Sequence, residues 1–312
     1  MSQSATQARI GTVVVAGGTG FIGHELTGRL QRDGYEVVVL TRSLSRSGEA
    51  MPHTRFVVWD GKSTGEWETA LEGSIAVVNL AGESIGARRW SAQQKERIVS
   101  SRLDATTAIV SAIGRLHKRP SVLVNGSAIG YYGDTGDREI TEDSEKGEGF
   151  LADTVDQWEA AARRVDPFGV RLVLIRNGVV LGKKATALGR MVLPFRFFLG
   201  GPLGSGRQWF PWVHIDDVIE CILFAIRSED ISEAYNVVAT VPVTMKRFSE
   251  ILGRVLRRPS WLPVPSLALR LLLGEMSGMI LGGQRAVPGR LTRAGFQFRY
   301  RNVREALAAI LA

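Results

Sequence analysis

Three glycines at positions 17, 20 and 23 sit in Val13-Val14-Val15-Ala16-Gly17-Gly18-Thr19-Gly20-Phe21-Ile22-Gly23, and their spacing is the most chemically pointed feature of the chain. A β-branched run precedes them and a helical pattern from Phe21 through Leu30 follows. That order predicts a strand, a tight turn and a helix start. Gly17 permits the turn, Gly20 admits a pyrophosphate close to the backbone, and Gly23 lets the helix pack on the strand. The helix amides and dipole favour negative charge. With Thr19, Phe21 and Ile22 counted in the same turn, the stretch reads as a dinucleotide phosphate site.

Other residues extend that chemistry. The second strand, Glu36 to Thr41, ends in Thr41-Arg42-Ser43, where an NAD site would carry an acidic residue for the ribose. A guanidinium and two hydroxyls there suit a 2′-phosphate, so the expected cofactor is NADP(H). Asp60, after a third strand at 55–59, is placed near the adenine. The fourth strand, 75–80, runs into Leu80-Ala81-Gly82, whose small size lets a cofactor lie across the sheet edge. Arg102, on a helix expected over 90–116, is the basic residue chosen to reach its phosphates. Just past a fifth strand at 121–125, Ser127 and then Tyr132 stand where a carbonyl or alcohol would meet a nicotinamide.

The elements that must position these groups alternate through most of the chain. A polar loop at 134–149, too acidic and glycine-rich for core, leads to a helix at 150–165 and a sixth strand at 171–175. Beyond Gly182 the alternation breaks down. Residues 191–206 are apolar, aromatic and glycine-rich, as a lid or substrate wall would be, and helices are expected at 245–256, 267–273 and 303–311. His214 opens a helix whose Asp216 and Asp217 suit its first turn, a structural role. The reading is α/β: a doubly wound parallel sheet of Rossmann type with a smaller, mixed C-terminal lobe. The expected division is 1–182 for the NADP-binding domain and 183–312 for the lobe, with helix 214–226 and strand 235–238 as candidates to return to the core.

Composition narrows the partners. The 312 residues carry ordinary hydrophobic content and a net charge of +8, with the basic residues dispersed. That dispersal argues against nucleic acid and leaves a small-molecule substrate, anionic in one reading, with Arg207 and Arg285 as anion anchors. A single cysteine, Cys221, excludes an internal disulfide framework and reads as core packing. No export signal or good membrane span is read, so the expected place is the cytoplasm, with no membrane partner. A homodimer or a protein partner stays open. His24, His53, His117 and His214 lie far apart without a matching cluster, so no metal is expected.

Taken together the chain resembles the extended short-chain dehydrogenase/reductase superfamily, the nucleotide-sugar epimerases and dehydratases. Gly-Gly-Thr-Gly-Phe-Ile-Gly at 17–23, Asn-Leu-Ala-Gly at 79–82, Tyr-Tyr-Gly at 131–133 and His-Ile-Asp-Asp-Val at 214–218 carry the likeness. Asn-Leu-Ala-Gly-Glu at 79–83, Arg-Trp-Ser at 89–91, Trp-Glu-Ala-Ala at 158–161 and Gly-Gln-Arg-Ala-Val-Pro at 283–288 are more similar to its atypical 39U branch. Bacterial members of that branch often carry a cell-division-inhibitor label. The resemblance implies an NADP-binding fold without a settled substrate, in which Thr41, Arg42, Leu80, Ala81, Arg102 and Val180 touch the cofactor. Superfamily oxidoreductases use a tyrosine followed four positions later by lysine, and no tyrosine here has one. Leu151 and Val155 occupy the expected positions. Tyr132 assisted by Ser127 is the best replacement, and a cofactor-binding protein without turnover is the alternative.

Overall fold

The computed structural model describes residues 10–44 and 54–312; the extreme amino terminus and His53 lie outside the described residues. In chain order the first elements are β1 (Thr12–Ala16), α1 (Phe21–Arg32), β2 (Glu36–Thr41), β3 (Thr54–Val58), β4 (Ala76–Asn79), α2 (Ala92–Arg115) and β5 (Val122–Ala128). Next come β6 (Glu139–Ile140), α3 (Phe150–Arg163), β7 (Arg171–Asn177), β8 (Val179–Leu181), α4 (Thr186–Arg196), β9 (Trp209–Phe210), β10 (Trp212–His214) and α5 (Ile215–Arg227). The chain closes with β11 (Glu233–Val237), β12 (Val243–Thr244), α6 (Met245–Leu256), α7 (Ser266–Leu273), α8 (Gly278–Leu281), β13 (Arg285–Ala286), α9 (Gly289–Arg293) and α10 (Val303–Leu311).

Seven strands form one sheet in the order β11-β7-β5-β4-β1-β2-β3. The neighbours β1–β2, β2–β3, β1–β4 and β4–β5 pair in parallel, with Val13 opposite both Val37 and Ala76. Strand order reverses between β1 and β4, and ligands of doubly wound sheets bind outside the carboxyl ends of the strands at such a reversal. The central strands are continuous apolar runs because helices cover both faces. Val13–Ala16, Val37–Leu40 and Ala76–Val78 are all buried.

The chain divides into two compact units that interleave in sequence. One comprises the chain through Gly82 with Ser101–Gly126 and Ala160–Val173; the other comprises Glu83–Ser100, Ser127–Glu159 and Leu174–Ala312. The second unit adds three small two-stranded sheets, β10–β8, β12–β9 and β13–β6.

The strand read at 235–238 as a candidate to return to the core does join the sheet, which has seven strands, the last drawn from 233–237. Two other expectations change. The stretch at 191–206 begins inside a helix, α4, which tolerates Pro194 near its end. The segment at 134–149 is not all surface loop: Ile140 is fully buried, paired through β13, and Glu142 is buried as well. Burial of that carboxylate is compensated by donors, since the amides of Asn236 and Arg290 donate to its two oxygens at 3.0 and 3.1 Å. Cys221 is core, and burial pushes its thiol pKa up. Among the described residues no helix is long and apolar enough to cross a membrane, and no group of His, Cys, Asp and Glu is placed to hold a metal.

Candidate functional site

The glycine turn is built so tightly that side chains cannot enter it. Gly17 has φ +78°, and a Cβ there would lie 2.7 Å from the Leu80 carbonyl carbon, where the chain leaving β4 passes over the turn. A Cβ on Gly23 would lie 2.3 Å from Gly17 O. Both positions need glycine, the first for its backbone angle and both for space. Gly20, the residue before α1, faces open space apart from Gly17 O, and no side chain caps the helix. The first turn of α1 carries no acidic residue, and Thr19 is exposed. The first turn of this twelve-residue helix therefore carries neither a capping side chain nor a carboxylate that would repel an anion.

The neighbouring strand ends complete this part. Asn79 is fully buried at the end of β4, and its Nδ2 donates to Asn125 Oδ1 at 2.7 Å and to Thr106 Oγ1 at 2.9 Å. Its Oδ1 accepts from Ala81 N at 3.2 Å, so a buried amide fixes the path of Leu80, Ala81 and Gly82. Arg102 lies against Gly82, where a Cβ would come within 3.3 Å of the guanidinium carbon. Arg42 is exposed after β2. Thr41 is buried, with its hydroxyl donating to Ser43 O at 3.0 Å. Asp60 is exposed, and its Oδ1 accepts from the amides of Ser63 and Lys62. Those amides hold its carboxyl at about 2, well below the usual range.

The second unit holds a different construction. Ser127, near the end of β5, donates its hydroxyl proton to Glu159 Oε1 at 2.6 Å. Arg176, on β7, grips both oxygens of Glu159 at 2.7 and 2.8 Å. Its third nitrogen donates to Tyr132 Oη at 2.8 Å, and that phenol donates onward to Asn236 Oδ1 at 2.8 Å. Asn236 Nδ2 ends the chain on Val287 O. Tyr131 covers the guanidinium, its ring centroid 3.6 Å from the Arg176 Cζ. Glu159 is 0% exposed, Tyr132 1% and Arg176 3%. Burial drives the Tyr132 pKa up to about 12 against the opposing pull of Arg176. Burial alone would lower the guanidinium pKa, but the hydrogen bonds and charge of Glu159 hold it above its ordinary value.

Comparison with known proteins decides the family. The model described as NAD dependent epimerase/dehydratase family matches residues 13–238, and a domain of unknown function, DUF1731, matches 264–310. The chain belongs to the NAD dependent epimerase/dehydratase family. Within it, the chain is 43% identical over 302 residues to the chloroplastic epimerase family protein SDR39U1 homolog of Arabidopsis thaliana, covering 96% of this chain and 86% of that protein. It is 40% identical over 301 residues to epimerase family protein YfhF of Bacillus subtilis, covering 96% and 98%. The crystal structure of human epimerase family protein SDR39U1 (isoform 2) with NADPH superposes with a TM-score of 0.87 at 36% identity, covering 96% and 98%.

In this epimerase-family fold the first unit brings together Gly17, Gly20, Gly23, Leu80, Ala81, Gly82 and Arg102. Val180 lies on β8 in the second unit, paired with Val213 of β10. Ser127 and Tyr132 join one network, linked through Glu159 and Arg176 rather than directly. Sequence reasoning missed Glu159, Arg176, Asn236 and Glu142 as its members, and Asn79 and Asn125 as supports of the loop. The available signal was a polar residue at the carboxyl end of an otherwise apolar run, as at Asn79 in β4 and, next to the final Asn177, at Arg176 in β7. Arg285 stacks over Trp209 at 5.1 Å and pairs with Glu139 at 3.4 Å, and Arg207 is exposed. His214 acts as an N-cap, its Nδ1 accepting from Asp216 N at 3.1 Å.

Proposed function

We propose that this chain binds NADP(H) at its glycine turn and is an oxidoreductase or epimerase-like enzyme for a small polar or nucleotide-linked substrate. The observation that carries the cofactor half is the uncapped, acid-free start of α1 above a turn that excludes side chains. The residues present fit the group: backbone amides for the pyrophosphate, exposed Arg42 for a 2′-phosphate, and Arg102 beside Gly82 for further negative charge. The human relative crystallised with NADPH supports the same reading. When bound, such a cofactor supplies a hydride donor or acceptor.

The chain's own groups limit the accompanying proton chemistry. Ser127 gives its proton to Glu159, so its oxygen offers lone pairs to any further partner. The Tyr132 phenol is saturated by Arg176 and Asn236, and at about 12 its pKa makes it a weak acid near neutrality. The arrangement favours Tyr132 as a positioning group for Arg176 over a proton donor to substrate. It also supports the second reading, a non-catalytic NADPH-binding regulatory protein, with the division link that the resemblance suggests.

Fluorescence titration of the purified chain with NADPH and with NADH is the test. NADPH is expected to bind more tightly, and Arg42→Ala to weaken it by about 1–3 kcal/mol while leaving NADH nearly unchanged. Failure to bind NADPH sinks both readings. A panel of carbonyl compounds then separates them: oxidation of NADPH by any member favours the enzyme, and tight binding with no turnover favours the regulator.

A further inference from the structure

Among the described residues, most of the large apolar side chains left in solvent belong to three neighbouring segments of the second unit. Phe197 (67% exposed), Phe198 and the residue after it follow the end of α4; Trp261 (64%) lies after α6; Leu271 (71%) and Leu272 (72%) project from α7. The backbone ties these segments side by side. Trp261 N and Leu262 N donate to Gly200 O at 3.0 and 3.1 Å, and the Trp261 indole donates to Phe198 O at 3.0 Å. Val264 N donates to Pro202 O at 2.9 Å, and α7 opens at Ser266. On α7 Leu269 is the one buried residue, and Leu267, Leu271 and Leu272 are left to water or to a partner.

Charge selects the partner. From Lys183 through Ile215, and again from Ile251 through Gly274, the sequence contains no Asp or Glu. Arg190, Arg196, Arg254, Arg257, Arg258 and Arg270 all fall in these stretches and are exposed. Arg258 stacks over Phe198 at 4.6 Å, so charge and apolar surface interleave. A two-fold dimer through these stretches would set arginines against arginines, because the carboxylates that flank them, Glu250 and Glu275, are already paired with Arg247 and Lys95. An anionic bilayer offers negative headgroups above an apolar layer, which matches a set of Trp, Phe, Leu and Arg.

We propose that the surface formed by the end of α4, the segment around Trp261 and α7 docks the protein on anionic lipid bilayers. Association of this kind needs no spanning helix. The expectation of no membrane partner rested on the lack of a spanning segment, which bears on a different mode of attachment.

The test is sedimentation of the full chain with vesicles of phosphatidylcholine alone and of phosphatidylcholine mixed with phosphatidylglycerol. Binding is expected only to the mixed vesicles, and to be weakened by salt. Leu271→Ser with Leu272→Ser, both exposed, should lower the bound fraction severalfold without changing the thermal midpoint. Arg254→Gln with Arg258→Gln should lower the partition coefficient roughly thirtyfold, whereas Arg301→Gln with Arg304→Gln, an equal charge change outside these segments, should lower it far less. Equal loss from both arginine pairs would assign the effect to net charge and overturn the proposal. No binding to the mixed vesicles, or equal binding to phosphatidylcholine alone, would also overturn it. So would lipid-free self-association that the leucine variants abolish, because the occupant would then be a second copy.

Discussion

Around Gly17 the chain leaves a helix start uncapped and a turn too tight for side chains, whereas around Arg176 it matches a guanidinium, a carboxylate, a phenol and an amide until their hydrogen bonds close on one another. The first construction keeps backbone donors available, which suits a ligand that brings its own negative charge. The second spends its polar groups internally, which suits rigidity. The contrast teaches where each unit can respond to a ligand. Near α1 the backbone donors are left without a capping side chain, while near Arg176 the polar groups are already matched to one another.

The sharpest way to break that contrast is to unmatch the closed network. Arg176→Leu leaves Glu159, 0% exposed, without its bidentate partner. Removing one member of a buried ion pair costs about 3–5 kcal/mol. Urea unfolding should show that loss, with NADPH affinity of the folded fraction little changed. A loss below about 1 kcal/mol would mean that water reaches the carboxylate and that the network is not closed.

Gly23→Ala tests the other side. Its Cβ would sit 2.3 Å from Gly17 O, so the helix must retreat from the turn. Overpacking of this kind costs about 1–3 kcal/mol of stability. NADPH affinity should fall by more than the tenfold that corresponds to about 1.4 kcal/mol, because the shifted amides no longer meet the phosphate. Retained affinity would detach the turn from cofactor binding.

The same contrast explains what could be read in advance. The turn and its strand were legible because all their determinants fall within a dozen residues or so of sequence and obey fixed spacing. Helices at 245–256 and 303–311 were legible from amphipathic periodicity alone. The network was not, because Glu159 and Arg176 are 17 residues apart and Tyr132 and Asn236 are 104 apart. Nothing local in Trp-Glu-Ala-Ala marks Glu159 as buried. Ser127 was read as lying past the fifth strand, but β5 continues to Ala128, and the serine is pinned within it by that distant carboxylate. The buried Glu142 was hidden for the same reason: its donors are amides at positions 236 and 290.

Tyr132 gives a milder test of closure. Tyr132→Phe keeps the ring and removes a hydroxyl that serves Arg176 and Asn236, so about 1–3 kcal/mol should be lost. The pH dependence fixes its origin. The folded phenol titrates at about 12, above its ordinary 10.0, so the unfolded chain ionises first as pH rises. The stability it contributes is therefore complete below about pH 10 and lost as pH climbs toward about 12. The variant should lack that part of the alkaline slope, as followed by urea midpoints across the range. An unchanged slope would place the alkaline sensitivity elsewhere.

The smallest effect belongs to His214, a polar group in the closed unit that keeps one titratable site. Its Nδ1 accepts from Asp216 N, so the cap works only with an unprotonated nitrogen, and the ring stacks on Tyr300 with centroids 3.8 Å apart. Burial pushes its pKa below the ordinary 6.5, with Asp216 opposing and Arg299 assisting. As pH falls through 6.5 the unfolded chain takes up the proton first, so stability present above that value is lost below it. Asp217 acts with the opposite sign, because burial raises its pKa against the amides of Arg299 and Tyr300. Its contribution is present below 3.8 and is lost as pH rises through the folded value. His214→Asn keeps an acceptor at the cap and removes the titration. Between about pH 8 and pH 5 the parent chain should lose up to about 1 kcal/mol, the scale of a helix cap, relative to the variant. Parallel slopes for the two would show that the imidazole takes up its proton equally in the folded and unfolded chain, so that burial does not shift it and the cap is not pH-sensitive.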